Sequence, residues 1–247
     1  MKKTLAVILN YNLPSFTDAL YQQLKPFERE DYELVVLDNG SPEEGRSKYT
    51  SLALSENTYF GGGLIAAVEY VLTNKHIYDS LLFLNSDLSV TGYRWVKSLR
   101  EVMFSHDRVG VVSPSIIQQG FHQIYWPQMR NWSSSTPRKV KWVDFQSPLL
   151  RVELLEEIQQ YPDGLWPGFG YDIYTGYICE KKGYETYVLD YTYACHYKEA
   201  TLTLANPDIN KEDYNKLAMS NMTKCFSDLG LGEVLQDYRA WGLNYQL

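Results

Sequence analysis

Cysteine is scarce in this chain. Cys179, Cys195 and Cys225 are its three cysteines in 247 residues, and no two form a CxxC pair. Without such a pair they read as free, buried thiols in a reducing compartment. Long basic runs are also missing. No stretch of Lys and Arg exceeds a pair, and the net charge is −7. This argues against a nucleic-acid polymer as partner, because affinity there comes mostly from phosphate neutralisation. A small phosphorylated ligand stays open, provided something else neutralises it. No apolar stretch approaches the ~20 residues of a membrane span. The N-terminal run Leu5 to Leu9 is too short for a signal-peptide core. The expected location is therefore cytoplasmic, with peripheral membrane contact left open because it needs no anchor. Internal repeats, low-complexity tracts and linkers are absent too, so 1–247 reads as one domain.

What is present is a core: 45% of residues are hydrophobic. Leu5–Leu9 and Leu34–Leu37 read as fully buried strands, as does the run Ser80–Leu84, and "VGVVSP" as a further one. Helices are expected between them. "PSFTDALYQQL" has Ser15 and Asp18 placed as a cap, and a charged segment covers about 43–50. "GGGLIAAVEYVL" opens on Gly61-Gly62-Gly63, a start suited to anions, and "YRWVKSLREVMF" follows later. Strand–helix alternation of this kind predicts an α/β fold with a mainly parallel, Rossmann-like sheet flanked by helices. Ligands of such sheets bind outside the carboxyl ends of the strands. Asn10, Asp38 and Asp87 each end a strand, so they are expected on one rim. After residue 114 the pattern gives way to aromatics and turns, then to helices in the last forty residues. The expected division is 1–114 as the strand–helix half that carries this rim, 115–200 as an elaborated second half and 201–247 as C-terminal helices.

Four residues invite chemistry, and each has a plainer use. Asp87 at a strand tip suits a hard divalent cation, which would clamp a diphosphate, or it caps the next turn. Asp38, in "DNGS", could accept an imide N–H from a pyrimidine base, or simply serve a turn. Asp172, in "WPGFGYDIYTGY", is a carboxylate crowded by glycines and rings. Such a setting raises a carboxyl's pKa toward general-base use, but an N-cap is an equally natural job. His196 is a possible metal ligand or a structural imidazole. Among Trp126, Trp132, Trp142 and Trp166, some could stack on sugar faces and most would be core. A nicotinamide-cofactor fingerprint is missing, since "NYNLPS" follows the first strand in place of GxGxxG.

Five segments taken in order resemble the family 2 glycosyltransferases of the GT-A fold, especially their rhamnosyltransferase-like branch. "VILNYN", "VVLDNGS", "ENTYFGGGLIAA", "LLFLNSDLSV" and "FGYDIYTGYICEKKGY" are similar to that family's first strand, its "vvDNgS", its "eN.Gfa.G.n.G", its "LNpD" form of the DxD and its "EDvDl..r.rkaGy". The match runs from about residue 4 to 200. The resemblance implies a donor site made by Asn10, Asn12, Asp38, Asn57, Gly62, Asn85 and Asp87. It implies Mg²⁺ or Mn²⁺ held by Asp87, with His196 near the metal or the diphosphate. Asp172 becomes the general base, and Trp166 and Tyr171 fall on the acceptor side. The expected reaction moves one sugar, with inversion, from a UDP- or dTDP-linked donor to a hydroxyl of a glycan or glycolipid. The chain lacks the QxxRW of processive synthases, so transfer is expected to be non-processive. It departs from the family at Tyr171-Asp172-Ile173-Tyr174, where one of three acids survives. The alternative is a catalytically inactive relative that binds a nucleotide sugar or carbohydrate. A nucleotidyltransferase would need a basic, Gly-rich loop after the first strand, and "NYNLPSF" is neither.

Overall fold

A computed structural model describes residues 2–28, 31–90, 94–118, 126–197 and 210–246, together with Leu204. Nine strands form one sheet in the order β3-β2-β1-β4-β8-β6-β9-β5, with β7 also paired to β9. The first half supplies β1 (Lys3–Asn10), β2 (Tyr32–Asp38), β3 (Thr50–Ala53) and β4 (Tyr78–Asn85), and these run parallel. Leu5–Ile8 and Leu81–Leu84 are wholly buried. A parallel strand covered on both faces must be apolar throughout, which is why these runs do not alternate.

The second half is built differently. β8 (Leu149–Arg151) runs antiparallel between β4 and β6 (Val109–Gln118). β6 then pairs parallel with β9 (Glu185–His196), which takes antiparallel β5 (Leu88–Val90) and β7 (Arg138–Val140). One core cluster runs through both halves, from Leu5 to Tyr238.

The helices among the described residues are α1 (Pro14–Leu24), α2 (Tyr59–Thr73), α3 (Trp95–Met103), α4 (Val152–Ile158), α5 (Tyr171–Lys182), α6 (Lys211–Asp228) and α7 (Gly232–Leu243). Three expectations need correction. Ser15 does not cap α1, because the helix starts at Pro14 with Leu13 as cap; Asp18 instead accepts a hydrogen bond from Ser47 Oγ at 2.5 Å. The charged segment near 43–50 forms only a 3-10 turn, Glu43–Gly45. Its polar groups are used by the neighbouring loop: Gly45 O accepts from Asn10 Nδ2 at 2.9 Å and Arg46 Nε donates to Ser41 O at 3.0 Å. Nor do the three glycines open α2, which begins two residues earlier. They let it pack closely: a Cβ on Gly61 would lie 2.5 Å from the Tyr171 hydroxyl, and one on Gly63 would lie 2.6 Å from Leu9.

Candidate active site

Strand register places Asn10 opposite Asp38 and Leu9 opposite Asn85, so the tips of β1, β2 and β4 share one rim. There Asp38 is fully buried and its oxygens are occupied. Asn10 Nδ2 donates to it at 2.7 Å and the Ser41 amide at 2.8 Å, while Arg46 stands 3.7 Å away. Thr17 Oγ1 donates to Asn10 Oδ1 at 2.8 Å, which completes that amide. The Asn12 amide donates to Ser41 Oγ at 3.0 Å, and Asn12 holds a left-handed φ of 52°. One residue past Asp38, Asn39 ties the loop to the start of α2. Its amide donates to Asn57 Oδ1 and to Tyr59 O, and its oxygen accepts from Thr58 N and Oγ1. Tyr59 also has a positive φ, 57°. Residues with side chains rarely adopt that region, and a network that over-determines them is what keeps them there. Gly62 spends its amide on Thr58 O inside the helix.

Asp87 lies two residues past β4, in a turn that leads straight into β5. Because β5 pairs with β9, Leu88 faces His196 across the ladder and the Tyr197 amide donates to Asp87 O at 2.9 Å. The pairing draws His196 Nε2 to within 3.3 Å of Asp87 Oδ1, with both side chains nearly buried. Among the described residues no cluster of three or more acidic, His or Cys side chains could hold a metal. A carboxylate and an imidazole fit a divalent ion that draws its other ligands from a diphosphate and water. They do not make a closed, all-protein cage.

Next to this pair opens a cleft of ≈ 550 Å³. Asn85, His196, Asp172, Asp144, Arg239 and the rings of Phe60, Trp126, Phe145 and Tyr214 are among its walls. Asp172 is in the first turn of α5, but Gly170 occupies the N-cap position, so Asp172 is not the cap. Its Oδ1 accepts from the next amide, Ile173 N, at 2.8 Å. Burial, and then the charge of Asp144, push its carboxyl up to about 7; the Ile173 hydrogen bond and Arg239 pull the other way. A carboxylate with that affinity for protons is matched to base work near neutrality.

The two acceptor-side candidates lie outside the cleft lining. Tyr171 is buried, its ring 4.7 Å from that of Tyr161 and its hydroxyl against Gly61. Trp166 is 42% exposed, set edge-on to Tyr59 with its carbonyl accepting from Asn221. Trp142 is core, Trp132 is exposed, and of the four tryptophans weighed from sequence Trp126 alone lines the cleft. Sequence reading missed Asp144 and Arg239. "WVDFQ" and "DYRAWG" carry no local signal, since only tertiary packing brings them to Asp172.

No family model matches the chain, and no curated protein matches it in sequence. Its likeness to solved structures is clear. GalNAc-T7 with UDP, GalNAc and Mn²⁺ superposes with a TM-score of 0.64 at 12% identity, over 96% of this chain and 58% of that one. The mannosyltransferase PcManGT from Pyrobaculum calidifontis, with GDP-Man and Mn²⁺, gives 0.61 at 13% identity, over 98% and 72%. TarS 1-349 of S. aureus gives 0.57 at 16%, over 91% and 72%. The fold of this chain is that of the GT-A glycosyltransferases: mixed α/β, with a mostly parallel sheet flanked by helices. Among the described residues no helix is long and apolar enough to cross a membrane.

Proposed function

We propose that the chain is a metal-assisted, inverting, non-processive glycosyltransferase. It moves one sugar from a UDP- or dTDP-linked donor to a hydroxyl of a glycan or glycolipid. One observation carries this reading. Asp172, with its carboxyl raised to about 7, opens into the same cleft as Asn85 at the tip of β4 and His196 beside Asp87. The GT-A fold supports a nucleotide-sugar donor, since GalNAc-T7 holds UDP and the mannosyltransferase GDP-Man, each with Mn²⁺.

Donor-side residues are Asn10, Asn12, Asp38, Asn57, Gly62 and Asn85. Asp38 acts by fixing the loop of Asn10 and Ser41, since its own oxygens are occupied. Asp87 and His196 would hold Mg²⁺ or Mn²⁺, which when bound supplies positive charge to the donor diphosphate. Asp172 takes the proton of the acceptor hydroxyl. The oxygen so freed attacks the anomeric carbon from the face opposite the nucleotide as the bond from that carbon to the diphosphate oxygen breaks; the nucleoside diphosphate leaves and the centre is inverted. The aromatic walls beside Asp172 take the apolar face of the acceptor sugar and keep water from competing.

The test is sugar-nucleotide turnover with Mn²⁺ across UDP-, dTDP- and GDP-sugars, for the wild type and for Asp87→Ala and Asp172→Asn. Asp87→Ala should abolish turnover and metal-dependent donor binding. Asp172→Asn should lower kcat by ~10²–10⁴-fold with donor affinity nearly unchanged. The wild-type rate should climb as pH rises through about 7, where Asp172 ionises. Donor binding without any turnover would identify an inactive, sugar-nucleotide-binding relative instead.

A further inference from the structure

Trp142 is wholly buried and joins its own segment to two helices, α5 and α7. Its indole N–H donates to Tyr238 O in α7 at 2.9 Å. Its ring edge lies where a Cβ on Gly242 of α7 would stand 2.9 Å away, and its own Cβ would be 2.5 Å from one on Gly176 of α5. Any side chain at Gly176 or Gly242 would push a helix off this ring. The three segments joined here each carry a charged residue of the cleft. Asp144 is two positions past Trp142, Arg239 follows Tyr238, and Asp172 lies one helical turn before Gly176. Gln146 Nε2 holds Asp144 Oδ2 at 2.8 Å, and Gln146 O accepts from the Asn85 amide at 3.0 Å, so the Asp144 loop is also tied to the tip of β4. Among the described residues Arg239 makes no salt bridge.

We propose that α7 completes the catalytic cleft: Asp144 and Arg239, held beside Asp172 by the Trp142 hub, are a positioning pair of opposite charge that sets when Asp172 is ionised. The consequence for catalysis rests on the transfer reading above; the placement of the charges does not. Asp144 disfavours a second negative charge beside it, and Arg239 favours one. The directions of their effects on Asp172 agree with that geometry. Among the described residues, the other titratable groups around Asp172 include Tyr161, whose buried hydroxyl is raised well above its ordinary value, and His196 and Tyr214 on the cleft walls. With both partners present, the base is poised near neutrality. With one removed, it becomes either a weaker base or one protonated across the working range.

The test is a ¹³C NMR titration of the aspartate carboxyls in the whole chain, with the Asp172 signal assigned by Asp172→Asn, run beside the pH profile of donor turnover. Asp144→Asn should move the Asp172 midpoint down and Arg239→Gln should move it up, each by about half a unit or more. Arg239→Lys, which keeps the charge, should restore the wild-type midpoint. Trp142→Phe, which keeps an aromatic ring but loses the indole N–H bond to α7 and the ring edge against Gly242, should move the midpoint up as Arg239→Gln does. Well below the midpoint, each unit of displacement changes the ionised fraction, and so the rate, about tenfold. Midpoints that stay put in both charge variants, or move together, overturn the pair. Midpoints that move as expected in a protein without turnover support the pair and overturn the transfer reading. Turnover with unmoved midpoints does the reverse. Should Arg239→Gln fail to fold, Asp144→Asn and Trp142→Phe, expected to move the midpoint in opposite directions, still decide.

Discussion

The strand-tip rim and the aromatic wall of the cleft are held by different forces. At the rim, Asn10, Asp38, Asn39, Ser41, Asn57 and Thr58 hold one another through side-chain hydrogen bonds that tie the tips of β1 and β2 to the start of α2. At the wall, rings do the holding. Trp126 meets Trp142 edge-on at 4.6 Å, Tyr161 meets Tyr174 at 5.4 Å and Tyr174 meets Phe226 at 6.0 Å. A hydrogen-bonded loop loses its geometry when a single polar atom goes, because the buried partner is left unsatisfied. A packed wall tolerates changes of polarity at its edge and fails when volume is removed from its centre. The rim therefore suits a fixed recognition task, and the wall can change its surface residues while keeping its frame.

The hardest blow to the rim is Asp38→Ala. It leaves the buried Ser41 amide without its partner and removes one of the bonds of Asn10 Nδ2, which keeps Gly45 O, and should cost about 2–5 kcal/mol of stability by chemical denaturation. A loss under about 0.5 kcal/mol would show that the loop does not depend on that carboxylate, and the contrast between the two regions would fall.

The wall offers the opposite sign. Burial and Asp144 raise Asp172 from an ordinary 3.8 to about 7. The folded state therefore holds this proton more tightly than the unfolded one. The native carboxyl carries no penalty below pH 4, an increasing one from pH 4 to 7, and its full cost above that. At about 1.4 kcal/mol per pH unit, Asp172→Asn should stabilise the chain at pH 8 by up to about 4 kcal/mol. The gain should fade to nothing by pH 4, as read from Tm across pH. A Tm difference that is flat with pH would mean the carboxyl is not strained by its setting.

The smallest effect is expected at the exposed edge. Trp166→Ala should change stability by under about 0.5 kcal/mol, given its 42% exposure. If Trp166 still meets the acceptor beyond the cleft mouth, KM for acceptor will rise with kcat unchanged. An unaltered KM would confine the acceptor to the cleft walls.

This contrast also explains what the sequence disclosed. Leu5–Leu9 and Leu34–Leu37, each followed by polar residues, read as buried parallel strands with their tips on one edge, and the register shows that shared edge. Local pattern is enough there because neighbouring segments pair. It fails where tertiary contacts outvote it. The 43–50 segment looks helical until Asn10 and Ser41 claim its polar groups. Gly61–Gly63 look like an anion-binding helix start until the ring of Tyr171 and Leu9 are seen against them. β8, three residues long and antiparallel, has too little pattern to announce itself. Asp144 and Arg239 are ordinary charged residues until Trp142 gathers their segments.

The ladder between Leu88 and His196 has a consequence in time. The loop of Asn10, Asp38 and Ser41 belongs to the first half of the chain and can form as that half leaves the ribosome. The partner of Asp87 belongs to β9, so the carboxylate must wait for nearly the whole domain to be synthesised and for a long-range strand pairing to close. A nascent or truncated chain is thereby kept from assembling the Asp87–His196 pair ahead of the cleft that would use it.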